Sequence, residues 1–315
     1  MSPHVVIVVL NWNNAPDTLA CLDSLQRLDD AERSILVVDN GSTDDSVQRI
    51  RERHPNLTLI ETGQNLGYAG GNNVGIRHAL AQGADYVCIL NNDVVVDIGF
   101  LKPLVTCLAQ EGDVGIACPT IADMSTPERI WALGASMLWR SGAPTRLFDG
   151  ICISSVADMP AFDVDIAPGT AMLIKTEVFE RVGLLDEAFF LYYEEMDWCL
   201  QVRKQGYRIC AVPSAIVWHK VSATLGASSP VVDYYMCRNG FRFLARNESG
   251  IRRLGVLGRA ACSNLRIIAA YTVKPHGGRR IPHRNARLLA LRDAALGRWG
   301  KMGADVEAVC YPEKR

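Results

Sequence analysis

The chain opens with VVIVVLNWNN at residues 5–14, an unbroken apolar run that ends in a polar segment rich in Asn. A continuous run of β-branched residues is typical of a strand covered on both faces, as in a parallel sheet. Four similar runs follow, each after a stretch with helical apolar spacing. Strands are expected at 35–38, 57–60, 86–90 and 114–118, and helices at 18–28, 44–53, 71–81 and 100–109. This βαβ series predicts an open α/β sheet with right-handed crossovers.

The alternation stops in residues 120–168, which are rich in Ser, Pro, Gly and Asp and predict long loops or a small lobe. Pattern then returns, with strands expected at 170–175, 208–212 and 215–218 and helices at 177–182 and 194–205. From Val231 onward the spacing is helical throughout. We therefore predict one domain over residues 1–230 and a helical, basic extension over 231–315.

The 315-residue chain is 49% hydrophobic and 21% charged, which excludes a mainly disordered protein. Its net charge of −1 hides a strong asymmetry. Residues 238–315 hold 17 Lys and Arg against five Asp and Glu, whereas the preceding residues carry a net charge of −13. A basic extension on an acidic body predicts contact with a membrane surface, with phosphates or with nucleic acid.

The ten cysteines are scattered and show no zinc-type spacing, so they indicate buried side chains in a reducing compartment. The apolar run at residues 5–10 is too short for a signal peptide, and no stretch of 18 apolar residues predicts a transmembrane helix. We expect a cytoplasmic protein.

In an open α/β sheet, ligands bind beyond the carboxyl ends of the strands. The segments that follow the first four strands are small and polar with few cations: residues 11–14, 39–45, 64–73 and 91–93. A nucleotide cleft lined by main-chain amides, amide side chains and a metal has this composition. Turn and helix-cap chemistry explains each segment taken alone. The Gly-rich run is neither a P-loop nor a dinucleotide fingerprint.

Two segments carry candidate chemistry. Asn91-Asn92-Asp93 offers one carboxylate after a buried strand, and His219 could complete a metal site there. Residues 190–198, FLYYEEMDW, place three acids among aromatic rings. Acids crowded in a partly dry site repel one another, and a raised pKa suits a general base. The alternative is that these acids simply favour the first turn of a helix.

At this point the residues resemble a known family. The motifs, in order, are VVLNWNN, VVDNGSTDDS, NLGYAGGNN, LNNDVVVD, GTAML, FFLYYEEMDWCLQVRKQGY and VWHK, with a weaker YYMCRN at residues 234–239. This series resembles the family 2 glycosyltransferases of the GT-A fold, most of all bacterial rhamnosyltransferases of cell-surface polysaccharide assembly.

The resemblance implies a role for each matching position. Residues expected to line the nucleotide sugar are Asn11, Trp12, Asp39, Asn65, Gly70, Gly71, Asn72, Asn91, Asn92 and Arg238, the last toward phosphates. Asp93 and His219 are expected to hold Mg²⁺ or Mn²⁺. Glu195 falls at the position of the catalytic base, with Glu194 as the alternative, and Asp197 is expected to orient the acceptor or the base. The sequence departs from the family pattern in having Asn91 for an Asp and Glu195 for an Asp.

The implied activity is inverting transfer of rhamnose from dTDP-rhamnose to a saccharide or polyprenyl-linked acceptor at the inner face of the membrane. UDP-galactofuranose, UDP-GlcNAc or a GDP-sugar is the alternative donor, and a non-catalytic nucleotide-sugar-binding protein is the alternative function. A nucleotidyltransferase is disfavoured because the first 26 residues contain no Lys or Arg. Nucleic-acid binding is disfavoured because no motif for it accompanies the basic extension. Residues 251–274 mix Arg with Leu, Val and Ile, which predicts either peripheral membrane contact or a packed helix with a cationic face.

Overall fold

The opening run forms the first strand, Val5–Asn11, at the centre of the sheet. Val5, Ile7 and Val9 point to one face and Val6 and Val8 to the other, and all five are fully buried. The computed structural model describes residues 3–28, 33–138, 143–221 and 229–311. Continuous β-branched composition therefore corresponds to a strand covered by helices on both faces.

The strands are β1 (Val5–Asn11), β2 (Arg33–Asp39), β3 (Thr58–Glu61), β4 (Tyr86–Asn91), β5 (Val94–Val96), β6 (Val114–Asp123), β7 (Thr126–Ala132), β8 (Ala135–Leu138), β9 (Ala143–Arg146), β10 (Phe162–Asp163), β11 (Ala171–Lys175) and β12 (Arg208–His219). The helices are α1 (Ala15–Gln26), α2 (Ser46–Arg53), α3 (Gly67–Ala81), α4 (Leu101–Gln110), α5 (Thr176–Val182), α6 (Glu194–Lys204), α7 (Pro230–Asn247), α8 (Gly250–Val273), α9 (Ile281–Ala295) and α10 (Ala304–Cys310).

The main sheet of the described chain runs in the order β10-β12-β6-β11-β4-β1-β2-β3, with β5 paired to β12 and β7 to β6. β3, β2, β1 and β4 are mutually parallel, and β6 is parallel to β12. β11 is antiparallel to both of its neighbours, β4 and β6. The predicted open, mainly parallel sheet is confirmed, and the polar segments after β1, β2 and β4 meet at one edge.

Helices cover the sheet in two layers. One core packs α1, α2 and α4 against one face, and the other packs α3, α5 and α6 against the opposite face. Phe243 and Leu244 of α7 and Val256 of α8 join the second core. The acid-rich start of α6 therefore lies on the same face as α3 and α7.

The expectation of loops over residues 120–168 was wrong in detail. β6 extends to Asp123 and turns back into β7, and β8 pairs with β9 as a separate hairpin. These strands are short and carry Pro and charged residues, so their two-residue alternation is weak. The two strands expected at 208–218 are one strand, β12, whose register shifts between Val212 and Ile216 around Pro213.

The helical prediction from Val231 is confirmed by α7 to α10 within residues 229–311. α7, α9 and α10 share a small core of their own, and Phe190, Leu191 and Tyr192 pack against it. None of the helices in the described ranges is long and apolar enough to cross a bilayer.

Candidate functional site

The ends of β1 and β2 are joined by a buried polar network. Asn11 Nδ2 donates to Asp39 Oδ1 at 2.6 Å, and Asp39 also accepts from the main-chain amide of Ser42. Thr18 Oγ1 donates to Asn11 Oδ1 at 2.6 Å. Asn92, after β4, donates to Thr18 at 2.8 Å. Asn11 and Asp39 are themselves buried and set the shape of this edge, whereas Trp12 is half-buried.

A second network holds the start of α3. Asn40 Nδ2 donates to Gly67 O and to Asn65 Oδ1, and Leu66 N donates to Asn40 Oδ1. Asn65 Oδ1 also accepts from Gly67 N at 2.8 Å. The predicted nucleotide-lining residue Asn65 thus fixes the turn into α3, at the same edge of the sheet as Asp39.

The glycines of α3 serve close packing. A Cβ at Gly71 would lie 2.4 Å from Leu10 Cδ1, and one at Gly70 would lie 2.8 Å from Leu66 Cβ. Asn72 is buried and donates to Tyr68 O, while its Oδ1 has no hydrogen-bond partner among the described residues. Gly70 and Gly71 were expected to line the nucleotide. Both lie inside α3, with Gly71 against β1, and their place beside the nucleotide stays a prediction.

Asp93 and His219 come together through strand pairing. β5 runs antiparallel to β12, and Val94 pairs with His219. Lys220 N donates to Asp93 O at 3.0 Å, and Asp93 Oδ1 lies 3.3 Å from His219 Nε2. Neither Asp93 Oδ1 nor His219 Nδ1 has a hydrogen-bond partner among the described residues, although both are buried. Buried acceptors are rarely left unpaired in proteins, so this pair fits a site that a ligand completes.

A divalent cation fits this pair of residues. A carboxylate and an imidazole are both ordinary ligands of Mn²⁺, and Mg²⁺ sites of this type take further oxygens from a bound phosphate. No group of three or more His, Cys, Asp or Glu that could hold a metal forms within the part of the chain that the structure describes.

Gly169 and Thr170 link this edge to the acidic segment. Asn91 N donates to Thr170 O at 3.0 Å. A Cβ at Gly169 would lie 2.8 Å from Tyr68 Oη and 3.2 Å from Glu195 Cγ, and Tyr68 donates to Gly169 O. Two consecutive residues thus touch both the segment before Asp93 and the side chain of Glu195. Gly169 and Tyr68 were missed as site residues, although both lie in the quoted GTAML and NLGYAGGNN motifs.

The two glutamates differ in access. Glu194 is buried at 3% exposure, whereas Glu195 keeps partial exposure. Burial, followed by the charge of Glu195, holds the pKa of Glu194 well above its ordinary value. Burial also raises the pKa of Glu195, and hydrogen bonds from the main chain partly offset this rise. Both carboxyls have an Oε2 atom without a partner among the described residues. Glu195 is partly exposed as a residue, but its Oε2 atom is buried like that of Glu194.

Asp197 lies on the other side of α6, facing α7. Asn247 Nδ2 donates to Asp197 Oδ1 at 2.6 Å, and Arg246 Nε lies 3.2 Å from Oδ2. Asp197 is buried, so its contacts tie the start of α6 to the end of α7. This position supports the acidic segment and differs from the predicted contact with acceptor or base.

Arg238 also lies elsewhere than its predicted role requires. It is 1% exposed, and its guanidinium donates to Phe189 O, Tyr234 Oη and Asn239 Oδ1. The rings of Tyr234 and Tyr235 lie 5.1 and 5.0 Å from its Cζ. A cation enclosed in this way has no free face for a phosphate.

The loop before α6 adopts an unusual backbone. Phe190, Tyr192 and Tyr193 all have positive φ, at 66°, 67° and 77°. Side chains with a Cβ disfavour this region by on the order of 1 kcal/mol each. Gly67 is pressed against the same loop, since a Cβ there would lie 2.2 Å from Phe190 O. The conformation must be maintained by neighbouring contacts.

Comparison with known proteins agrees with these motifs. The family model described as glycosyl transferase family 2 matches residues 5–183. The chain is 31% identical over 262 residues to the low-salt glycan biosynthesis hexosyltransferase Agl10 of Haloferax volcanii, covering 79% of this chain and 77% of that protein. It is 26% identical to the dTDP-rhamnosyl transferase RfbF of Shigella flexneri, covering 79% and 82%. It is 27% identical to an N-acetylglucosaminyl-diphospho-decaprenol L-rhamnosyltransferase of Mycobacterium tuberculosis, covering 79% and 87%.

Among solved structures, the mannosyltransferase PcManGT of Pyrobaculum calidifontis, in complex with GDP-Man and Mn²⁺, superposes with a TM-score of 0.58 at 18% identity. The match covers 95% of this chain and 87% of that protein. At this identity the likeness concerns the fold, and it confirms the GT-A architecture.

Proposed function

The chain belongs to glycosyl transferase family 2, and we propose that this glycosyltransferase moves rhamnose from dTDP-rhamnose to a lipid-linked saccharide with inversion at the anomeric carbon. The observation that carries the proposal is a pair of buried carboxylate oxygens that accept no hydrogen bond within the described ranges: Asp93 Oδ1, which lies 3.3 Å from His219 Nε2, and Glu195 Oε2. Gly169 and Thr170 connect the segments that hold them. One oxygen suits a cation on the donor diphosphate, and the other suits a proton from the acceptor.

In this proposal Asp93 and His219 hold Mg²⁺ or Mn²⁺, which when bound offsets the charge that develops on the departing diphosphate. Trp12 borders the base of the donor, and Asn11 and Asp39 shape the wall behind it. Glu195, kept basic by burial, accepts the proton of the acceptor hydroxyl as that oxygen attacks the anomeric carbon. Holding both substrates in line supplies a further part of the rate. Attack from the face opposite the leaving group requires no covalent enzyme intermediate and inverts the configuration.

The donor part of the proposal rests on relatives. RfbF is named for dTDP-rhamnosyl transfer, and the mycobacterial relative for L-rhamnosyl transfer to a diphospho-decaprenol-linked sugar. Agl10 is named only as a hexosyltransferase, so the sugar must be tested directly.

The basic extension supports a lipid-linked acceptor. Residues 249–292 contain ten Lys and Arg and no Asp or Glu. α8 buries only Val256 and Ile268, while Ile251 and Leu254 are 86% and 71% exposed beside Arg252 and Arg253. Val256, Leu257 and Ala260 pack α8 against the body, whereas Ile251 and Leu254 do not take part in that contact. Exposed Leu and Ile among cations fit the headgroup region of an anionic bilayer, and we assign this face of α8 to peripheral membrane contact.

The test is a transfer assay with N-acetylglucosaminyl-diphospho-polyprenol as acceptor and four donors: dTDP-rhamnose, UDP-galactofuranose, UDP-GlcNAc and GDP-mannose. We expect product from dTDP-rhamnose in Mn²⁺ or Mg²⁺, none in chelator, and an inverted anomeric centre by NMR. Product from another donor alone would overturn the rhamnose assignment. Failure of every donor to bind, measured as thermal stabilisation with the metal, would overturn the transferase function.

A further inference from the structure

The main chain of the loop before α6 is held by one side chain of α7, Asn239. Its Nδ2 lies 2.8 Å from Phe189 O, 2.8 Å from Leu191 O and 3.0 Å from Tyr192 O. The amide has two hydrogens, so three carbonyls converge on one donor group. These three residues span the start of the positive-φ segment.

Arg238 fixes the orientation of that amide. Its Nε donates to Asn239 Oδ1 at 3.0 Å, and its Nη2 donates to Phe189 O at 3.2 Å. Because Oδ1 is engaged by Arg238, the NH₂ end of Asn239 must face the loop carbonyls. Both side chains are fully buried, so water does not compete for these bonds.

Further contacts of the loop come from α3 and from α7 itself. Tyr68 N donates to Phe190 O at 2.7 Å. A Cβ at Gly240 would lie 3.3 Å from Tyr193 Oη, which shows how closely α7 approaches the end of the loop. Tyr193 is followed directly by Glu194 and Glu195. Restraint of residues 189–193 therefore sets where the first turn of α6 begins and where the Glu195 carboxyl lies.

We propose that Asn239, oriented by Arg238, is a positioning residue that holds the 189–193 loop in its left-handed conformation and thereby places Glu195 for catalysis. The inference rests on the proposed function for its catalytic part. It gives the YYMCRN segment a role different from the phosphate contact first expected of Arg238.

The experiment compares Asn239→Ala with Asn73→Ala in the full chain. Asn73 is a matched control, because it is also a buried helical Asn that bonds both main-chain groups of one loop residue, Leu185, at 2.9 and 3.1 Å. We expect Asn239→Ala to lower kcat roughly 10- to 100-fold with the donor KM within about twofold, because displacement of a catalytic group by about 1 Å has this effect. Asn73→Ala should lose thermal stability and show a clearly smaller fall in kcat, because its Nδ2 bonds Leu185 O and Glu187 Oε1, which precede the loop.

A second readout separates this inference from the proposed function. Hydrogen exchange of the amides in residues 190–195 should accelerate in Asn239→Ala and stay at the wild-type rate in Asn73→Ala. If Asn239→Ala fails to fold, Asn239→Ser, which keeps one donor, should give a smaller change of the same kind. Unchanged exchange, or a fall in kcat matched by Asn73→Ala, would overturn the positioning role while the transferase stands. A wild-type protein that transfers no sugar would overturn the proposed function, and the catalytic part of this inference with it.

Discussion

Asp93 has a carboxylate oxygen that is buried, close to His219 and otherwise unpartnered among the described residues. Asp97 lies four residues later and belongs to an ordinary turn, because its Oδ1 accepts a hydrogen bond from Gly99 N at 2.9 Å. The two acids thus form a matched pair for a test of cation binding.

We predict that Asp93→Asn abolishes the Mn²⁺-dependent thermal stabilisation by dTDP or UDP, because the amide is a weaker ligand for a hard cation. Asp97→Asn should keep that stabilisation. Equal stabilisation in both variants, measured by differential scanning fluorimetry with and without Mn²⁺, would remove Asp93 from the cation site.

The burial of Glu194 predicts that the free energy of unfolding depends on pH. Its pKa in the folded protein is raised by burial, so the folded state favours the protonated form. The stability from this group is present below the unfolded pKa and is lost as the pH rises through the raised folded pKa. Glu194→Gln should therefore raise Tm relative to wild type at pH 8 and raise it less, or lower it, at pH 4.5. A Tm difference that does not change with pH would contradict the burial of an ionisable Glu194.

For individual residues, the sequence predicted which side chains lie close together better than it predicted what each side chain does. The approach of Asp93 and His219 was expected from the motifs, whereas the pairing of β5 with β12 that brings them together was not. The burial of Arg238 could not be predicted, since it depends on Tyr234, Tyr235 and the loop carbonyls that converge on it in the folded chain.

Among the elements, α3 shows why its sequence contains so many glycines. The helix lies so close to β1 that a Cβ at Gly75 would come within 2.3 Å of Val8 Cγ1. Gly258 of α8 is the opposite case, with no atom within 4 Å of the same point. Both glycines have ordinary helical φ, so the two positions differ mainly in the room available for a Cβ atom.

We predict that Gly75→Ala destabilises the protein by about 1–3 kcal/mol, because it overpacks the contact between α3 and β1. Gly258→Ala should stabilise α8 by about 0.5–1 kcal/mol, because Ala loses less backbone entropy than Gly in a helix. Denaturant unfolding of both variants measures the difference. A stabilising Gly75→Ala would show that α3 can move away from β1 at no cost.

The element boundaries expected from the sequence agree best where apolar residues are continuous, as in β1, β4 and β11. α3 begins at Gly67, four residues earlier than expected, because Asn40 and Asn65 hold a start that its glycines alone would not favour. β5 was not predicted at all. Its three valines follow a turn, and only pairing with β12 makes them a strand.

Across the whole molecule, the distribution of charge fits two proposed partners, the substrates at the acidic body and an anionic lipid surface at α8. The acidic body holds the candidate catalytic groups, and α8 presents cations and exposed apolar side chains without acids. The attraction of such a surface to anionic lipids adds about 1 kcal/mol per cation and is screened by salt.

We predict that Arg252→Ser with Arg253→Ser weakens binding to phosphatidylglycerol vesicles by roughly 30-fold, the effect of two cations. The matched control is Arg49→Ser with Arg51→Ser, which removes two exposed cations from α2, a helix without exposed large apolar side chains. Co-sedimentation at low and high salt measures both. An equal loss of vesicle binding in the two double variants would show that binding depends on the net charge of the protein and not on α8.

The role of Glu195 as the base is tested by the transfer rate of Glu195→Gln, measured together with its binding of donor and Mn²⁺. We predict a rate lower by roughly 10²–10⁴-fold, the usual contribution of a positioned base, with donor binding unchanged. Glu194→Gln, the neighbouring control, should lose less. In wild type, kcat/KM should fall on the acid side with a midpoint above the ordinary carboxyl value of 4.5, because burial raises the pKa of Glu195 in the free enzyme. A Glu195→Gln enzyme that transfers sugar at the wild-type rate would contradict the account.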